Sequence, residues 1–205
     1  MAISFPRTLP AAPGIKNNRF GINWNVDEFT SPVTLQSNFD VKQGHRWEGI
    51  FVLPPMLPAV AAEWKAWFAS LRGKSKTFFA FDPDAKTPFG IADTGSDTPL
   101  VKGASQTGSS VISDAWRLSG IGLLVPGDYI QIDTHLAQVT EQFDSDGAGD
   151  GTIEFEPPFH ISPGDNAAIV FENPKGIFRL DTNKQEWESD RFGKTDFAWS
   201  FVESF

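Results

Sequence analysis

Hydrophobic and polar positions alternate one by one early in the chain. Phe20, Ile22, Trp24 and Val26 alternate with Arg19, Gly21, Asn23 and Asn25, a period of two that predicts a strand with its aromatics on one face. Val33, Leu35, Phe39 and Val41 repeat the rule, as do Trp47, Phe51 and Leu53 after a turn at Gly44. Three half-buried antiparallel strands are expected. Pro54, Pro55 and Pro58 end this sheet, because proline has no amide hydrogen for a ladder. Between Ala59 and Leu71 the period lengthens, and Val60, Trp64, Trp67, Phe68 and Leu71 fall on one stripe of a helix. Pro58 suits its first turn and Gly73 its stop. Thr77 to Phe81 then reads as a short aromatic strand closed by the turn residues Asp82, Pro83 and Asp84.

The pattern changes character further on. Short strands are predicted over Val111 to Leu118, Tyr129 to Ile132, Leu136 to Phe143, Thr152 to Phe155 and Ala168 to Phe171. Pro126-Gly-Asp128 and Pro163-Gly-Asp165 mark turns. Five short strands in about 80 residues is the size of a small, partly open barrel such as an OB fold, or of a small sandwich. The earlier aromatic alternation returns in Ile177 to Leu180, in Gln185 to Glu188, and in a last strand with Phe197, Trp199 and Phe201 on one face. Arg191 to Lys194, containing Gly193, is the expected hairpin turn before it.

Charge draws the same boundary. Residues 93–171 carry two basic side chains, Lys102 and Arg117, against twelve acidic ones, a net of −10, whereas the whole chain of 205 residues is at −9. The expected fold is mainly β. A discontinuous host domain, an antiparallel β-sandwich or barrel-like sheet with one amphipathic helix, takes residues 1–92 and 172–205. An inserted, acidic, OB-like β domain takes residues 93–171. The ends of such an insert must lie close together.

The rest of the composition excludes more than it suggests. The absence of cysteine rules out disulfides and thiolate metal sites. No apolar run approaches the roughly 20 residues that cross a bilayer, and the first residues do not read as a secretory signal. Synthesis in a cytoplasm and no membrane partner are expected.

Each candidate for chemistry meets a plainer reading. Asp144, Asp146 and Asp150 among Gly147, Gly149 and Gly151 resemble a calcium loop. Glu156, however, comes one position early and Pro157 takes the place of the bidentate ligand, so a Gly/Asp hairpin loop is expected and no metal. His45, His135 and His160 stand singly, without metal-ligand spacing, and no G-x-S-x-G is present. Glu154 and Glu156 share a strand face, as a glycosidase pair could, but acidic pairs are common in so acidic a segment. Seven tryptophans invite a carbohydrate-binding reading. Trp24, Trp47, Trp64, Trp67 and Trp199 lie on expected core faces, which leaves Trp116 and Trp187 as the exposed candidates. A module at −10 repels phosphates, against an ssDNA-binding OB protein and sequence-specific nucleic-acid binding. No catalytic residue and no cofactor is expected.

The order of elements resembles the distal tail proteins of long-tailed, siphovirus-type bacteriophages, in the subgroup with an OB-like insertion. The resemblance runs through the helix followed directly by an aromatic strand and a Pro-Asp turn (Leu71 to Asp84). It extends to Val125-Pro-Gly-Asp-Tyr-Ile-Gln-Ile132 and Gly151-Thr-Ile-Glu-Phe-Glu-Pro-Pro158, and to the final strand through Phe201-Val-Glu-Ser-Phe205. It implies a structural, non-enzymatic protein that forms a hexameric ring in the virion. That ring joins the tail tube protein to the tail hub or tip protein at the distal end of the tube. It serves as a platform for fibres or receptor-binding proteins and carries the insertion on its outside. The alternative expectation is a carbohydrate-binding β module.

Overall fold

In the computed structural model, which describes residues 3–189, 191 and 193–205, the chain is mainly β. The first segment contains β1 (Asn17–Asn23), β2 (Val26–Thr30), β3 (Ser37–Val41), β4 (Arg46–Val52), helix α1 (Pro58–Leu71) and β5 (Thr77–Ala80). The middle segment contains β6 (Leu100–Val101), β7 (Ser110–Asp114), β8 (Tyr129–Ile132), β9 (His135–Val139), β10 (Gly151–Glu156) and β11 (Ile169–Val170). The last contains β12 (Gly176–Leu180), β13 (Glu188–Ser189), β14 (Thr195–Asp196) and β15 (Ala198–Glu203). Among the described residues α1 is the one α-helix, and no helix is long and apolar enough to cross a membrane.

Strands from the two ends of the chain form a single antiparallel sheet in the order β1-β4-β15-β12-β5. β15 lies inside it, pairing Trp199 with Phe51 on β4 and Phe201 with Leu180 on β12. Its alternation then fixes what is buried, since Trp199 and Phe201 point to one face and meet the helix and its neighbours. Pro58 starts α1, whose C-cap Arg72 is left-handed at φ 51° and is followed by Gly73 at φ 64°. Trp64, Trp67, Phe68 and Leu71 are buried, with Trp64 and Phe68 at 5.4 and 5.1 Å from Trp199 and Trp67 at 5.1 Å from Phe78. The indoles of Trp64 and Trp67 donate to the carbonyls of Ala12 and Thr8, which ties the proline-rich N-terminal segment to the helix. That segment also closes the β5 edge, where Arg7 and Phe79 exchange backbone hydrogen bonds with Thr77 and Arg7. The opposite edge strand, β1, pairs on one side only.

The middle segment forms a second sheet, in the order β11-β8-β9-β10-β7-β6. Its two edges meet through a bridge between Leu100 and Ala168 and the bonds of Val101 to Ala167 and Ile169 to Pro99. The result is a small barrel, nearly closed, with six strands where the sequence suggests five. Val111, Ile130, Ile132, Ala137, Val139, Ile153 and Phe155 fill it. Trp116, expected among the exposed tryptophans, is buried there and stacks on Phe171 at 5.6 Å.

The connections between the two sheets run side by side, the Asn173 amide donating to the Lys86 carbonyl at 2.6 Å. The crossing lies a little before the boundary drawn by charge. Phe89 and Gly90 already donate to Asp128, and Ile91 and Ala92 to the carbonyls of Gly122 and Leu123. The hydrophobic clusters also interlock, because Tyr129 and Leu136 of the barrel are buried in the cluster built around α1 and the first sheet.

The expectation for Val33 to Val41 fails. Val33 and Leu35 lie in a turn, with Leu35 at φ 57°, and β3 is exposed along its whole length. Trp24, expected in the core, is 42% exposed. The cause lies in the register: β15 accompanies β4 only as far as Glu48, opposite Val202, and the β1–β4 ribbon runs on beyond it with no third strand to pack on. Gln185 to Glu188 is likewise mostly irregular, and only β13 pairs with β14. Phe192, in the turn expected at Arg191 to Lys194, lies outside the described residues, while Gly193 there has φ 76°.

Candidate functional site

The surface feature least explained by the fold of one copy is the β2–β3 hairpin. It prolongs β1 and β4 outward, closed at its base by the Lys42 amide on the Asn25 carbonyl at 2.8 Å and by an ion pair of Lys42 with Asp27. Directly opposed residues of an antiparallel pair share a face. Val26 with Val41 and Glu28 with Phe39 therefore lie on one side, Asp27 with Asp40 and Phe29 with Asn38 on the other. Each face thus carries one phenylalanine, and both are exposed, Phe29 at 67% and Phe39 at 65%. Val33 and Leu35 at the tip are more exposed still. An isolated two-stranded ribbon is marginal in water, and this one exposes apolar groups on both faces and leaves both edges unpaired, features that mark interaction surfaces in general. Nearby, the outer face of β1, β4 and β15 bears a groove of about 410 Å³ lined by Arg19, Asn23, Glu48, Ile50, Asp181 and Val202, among others.

The carboxylates of the Asp144 to Gly151 loop are engaged by the protein. Asp144 accepts from the Gly122 amide and from Gln142, which hold its carboxyl below the usual range. Asp146 accepts from the amides of Ala148 and Asp150 and is lowered by them. Asp150 is paired with Lys102. Among the described residues no group of three or more metal-ligating side chains is arranged to hold an ion. Glu154 is exposed, whereas Glu156 accepts from Ser109 with one oxygen and buries the other. Trp187 is exposed and lies beneath Lys65, whose Nζ is 5.4 Å from the ring.

The histidines, scattered in sequence, meet. His45 precedes β4, His135 opens β9 and His160 follows β10, and their rings lie together where the barrel touches the first sheet. The His45 and His160 rings stack at 4.1 Å, and His135 stands edge-on to His160 at 6.1 Å. Around them the contact between the sheets is polar as well as apolar. The Trp47 indole donates to the Leu136 carbonyl at 2.7 Å, and Tyr129 reaches Trp47 at 5.5 Å. Burial raises the Tyr129 hydroxyl well above its usual pKa, with Asp82 adding to the effect. Glu203, buried at the end of β15, accepts from the Trp47 amide at 2.9 Å. No spacing in the sequence reveals this cluster, because the barrel brings His135 and His160 together and the contact of the two sheets adds His45.

Compared with models of known protein families and with curated proteins, the sequence matches none.

Proposed function

We propose that this chain is a structural protein of the tail of a long-tailed bacteriophage. In this reading copies of it close into a ring, six-fold by the resemblance stated above, at the distal end of the tail tube. The ring joins the tube protein to the hub or tip protein and carries fibres or receptor-binding proteins. The observation that carries the assembly is the β2–β3 hairpin, whose exposed phenylalanines on both faces call for cover from more than one side. A ring supplies it, since each copy has two neighbours and a head-to-tail contact that closes leaves no edge open. The open β1 edge and the groove beside it offer the hairpin of a neighbouring copy a strand to pair with and an apolar floor at Ile50.

Charge supports the orientation. The segment at −10 is best placed at the periphery, where like charges on adjacent copies are far apart and screened by salt. The near-neutral remainder then makes the contacts between copies and lines the channel. The role is mechanical, with no catalysis, cofactor, membrane or sequence-specific nucleic acid, and its place is the virion after synthesis in the host cytoplasm. Reconstruction of the tail is the test: the chain is expected between tube and tip, with the barrel outermost, and its absence from virions overturns the reading. Replacing Phe29 and Phe39 together by Ser is expected to leave the melting temperature of the isolated chain within about 2 °C and to abolish incorporation into tails. The competing reading, a carbohydrate-binding module, rests on the exposed Trp187 and predicts a change in its fluorescence on adding host polysaccharide.

A further inference from the structure

His45, His135 and His160 are the only histidines of the chain, and each is placed where the barrel and the first sheet meet. The Nε2–H of His45 donates across the junction to the Pro158 carbonyl at 3.0 Å, and that of His135 donates within the barrel to the neighbouring Pro157 carbonyl, also at 3.0 Å. A carbonyl only accepts, so both rings keep a proton on Nε2. The His160 ring stacks on His45 at 4.1 Å and meets the Phe205 ring at 3.9 Å with a tilt of 42°, and its Nε2 is buried with no hydrogen-bond partner. The charged and titratable groups around the cluster are few. The first sheet presents Arg46 and Glu203, and the barrel presents Asp133 at the β8–β9 turn and Glu156 at the end of β10. Glu203 already accepts the Trp47 amide, and Glu156 is turned to Ser109.

A second proton on His160 therefore creates a cation against two other imidazoles and near Arg46, with a buried N–H and nothing to receive it. We propose that the three-histidine junction is an acid-released latch: protonation of His160 and His135 parts the barrel from the first sheet while each keeps its own fold. The ionisation of the closed state runs in that direction. Burial pushes His135 down to about 4, with the Pro157 carbonyl opposing and His160 and His45 adding. Burial lowers His160 as well, with the charges of His45 and Arg46 adding and a hydrogen bond to the His45 backbone opposing. Groups whose pKa is depressed on closure favour the closed form above their ordinary value, about 6.5, and lose that contribution as the pH falls toward 4. Glu203 works against release, because burial raises its carboxyl to about 7 despite the Trp47 amide and Arg46. Its contribution is present below the ordinary 4.5 and is lost as pH rises through about 7.

Hydrogen exchange on the full chain tests this. Protection of the Trp47 indole N–H, which bonds the Leu136 carbonyl across the junction, is measured against that of the β10–β7 and β12–β5 ladders in the same sample. Between about pH 7.5 and about pH 5, relative protection at the junction is expected to fall in the natural chain, the Glu203 contribution offsetting part of the loss, with both ladders intact. His160→Phe, which keeps the stack and cannot be protonated, is expected to remove most of that fall. Glu203→Gln, which removes the opposing contribution, is expected to enlarge it to about tenfold or more. An unchanged junction in the natural chain, loss of both ladders together with the junction, or a fall as large in His160→Phe as in the natural chain overturns the proposal. So does disappearance of the fall in Glu203→Gln. If His160→Phe does not fold, proton resonances of the imidazoles in the natural chain decide: a midpoint for His160 at or above the ordinary histidine value also overturns it.

Discussion

Gly49 shows how closely single residues are fitted in the first sheet. It sits on β4 opposite Phe201 of β15, and a β-carbon placed there would lie 2.3 Å from the Phe201 ring. The ring in turn touches Phe51 and Phe178 at 4.6 and 5.1 Å and cannot move away freely. Gly49→Ala is therefore expected to cost about 1–3 kcal/mol by overpacking, read as a lower urea midpoint at unchanged slope; an unchanged midpoint would show that the ring yields. The sequence offers only a glycine in an alternating strand, which commonly marks close approach of another group. That the other group is Phe201 follows from strand register, which brings together residues distant in sequence.

At the scale of elements, local pattern was a good guide wherever an element has one buried face. The stripe over Ala59 to Leu71 became α1, and the alternation through Phe197, Trp199 and Phe201 became β15 with those rings buried. It misled at Trp24 and at Val33 to Val41, where the same alternation belongs to a ribbon that has no core on either face. The Asp144 to Gly151 loop was legible for a different reason. Glycine and aspartate at alternate positions satisfy a tight turn as readily as a cation, and Asp146 here spends its carboxylate on the amides of Ala148 and Asp150. Addition of calcium or of a chelator is accordingly expected to leave the melting temperature unchanged. A rise of several degrees with calcium would show that the loop rearranges to bind it.

At the scale of the whole molecule, the two sheets are joined by neighbouring connections at Lys86 and Asn173. Linking these residues through a short Gly/Ser segment is expected to give a first sheet that still folds cooperatively. It would lack Tyr129 and Leu136 from its core and the bond from Trp47 to Leu136. A loss of roughly 2–5 kcal/mol relative to the full chain, the usual effect of removing large core side chains, is expected in urea; recovery only as aggregate would show that the sheets fold as one unit. The sequence by itself determined the β class, the single helix, the return of the first pattern after residue 172 and the acidity of the middle segment, because periodicity and charge are written in neighbouring residues. Only the tertiary structure decided that the β2–β3 ribbon leaves the sheet, that Trp116 is buried while Trp24 is not, and that three solitary histidines share one junction. Those outcomes depend on which strands pair and where each pairing stops, and contacts set by register between residues more than a hundred positions apart, as His45 and Pro158 are, leave no local pattern to read.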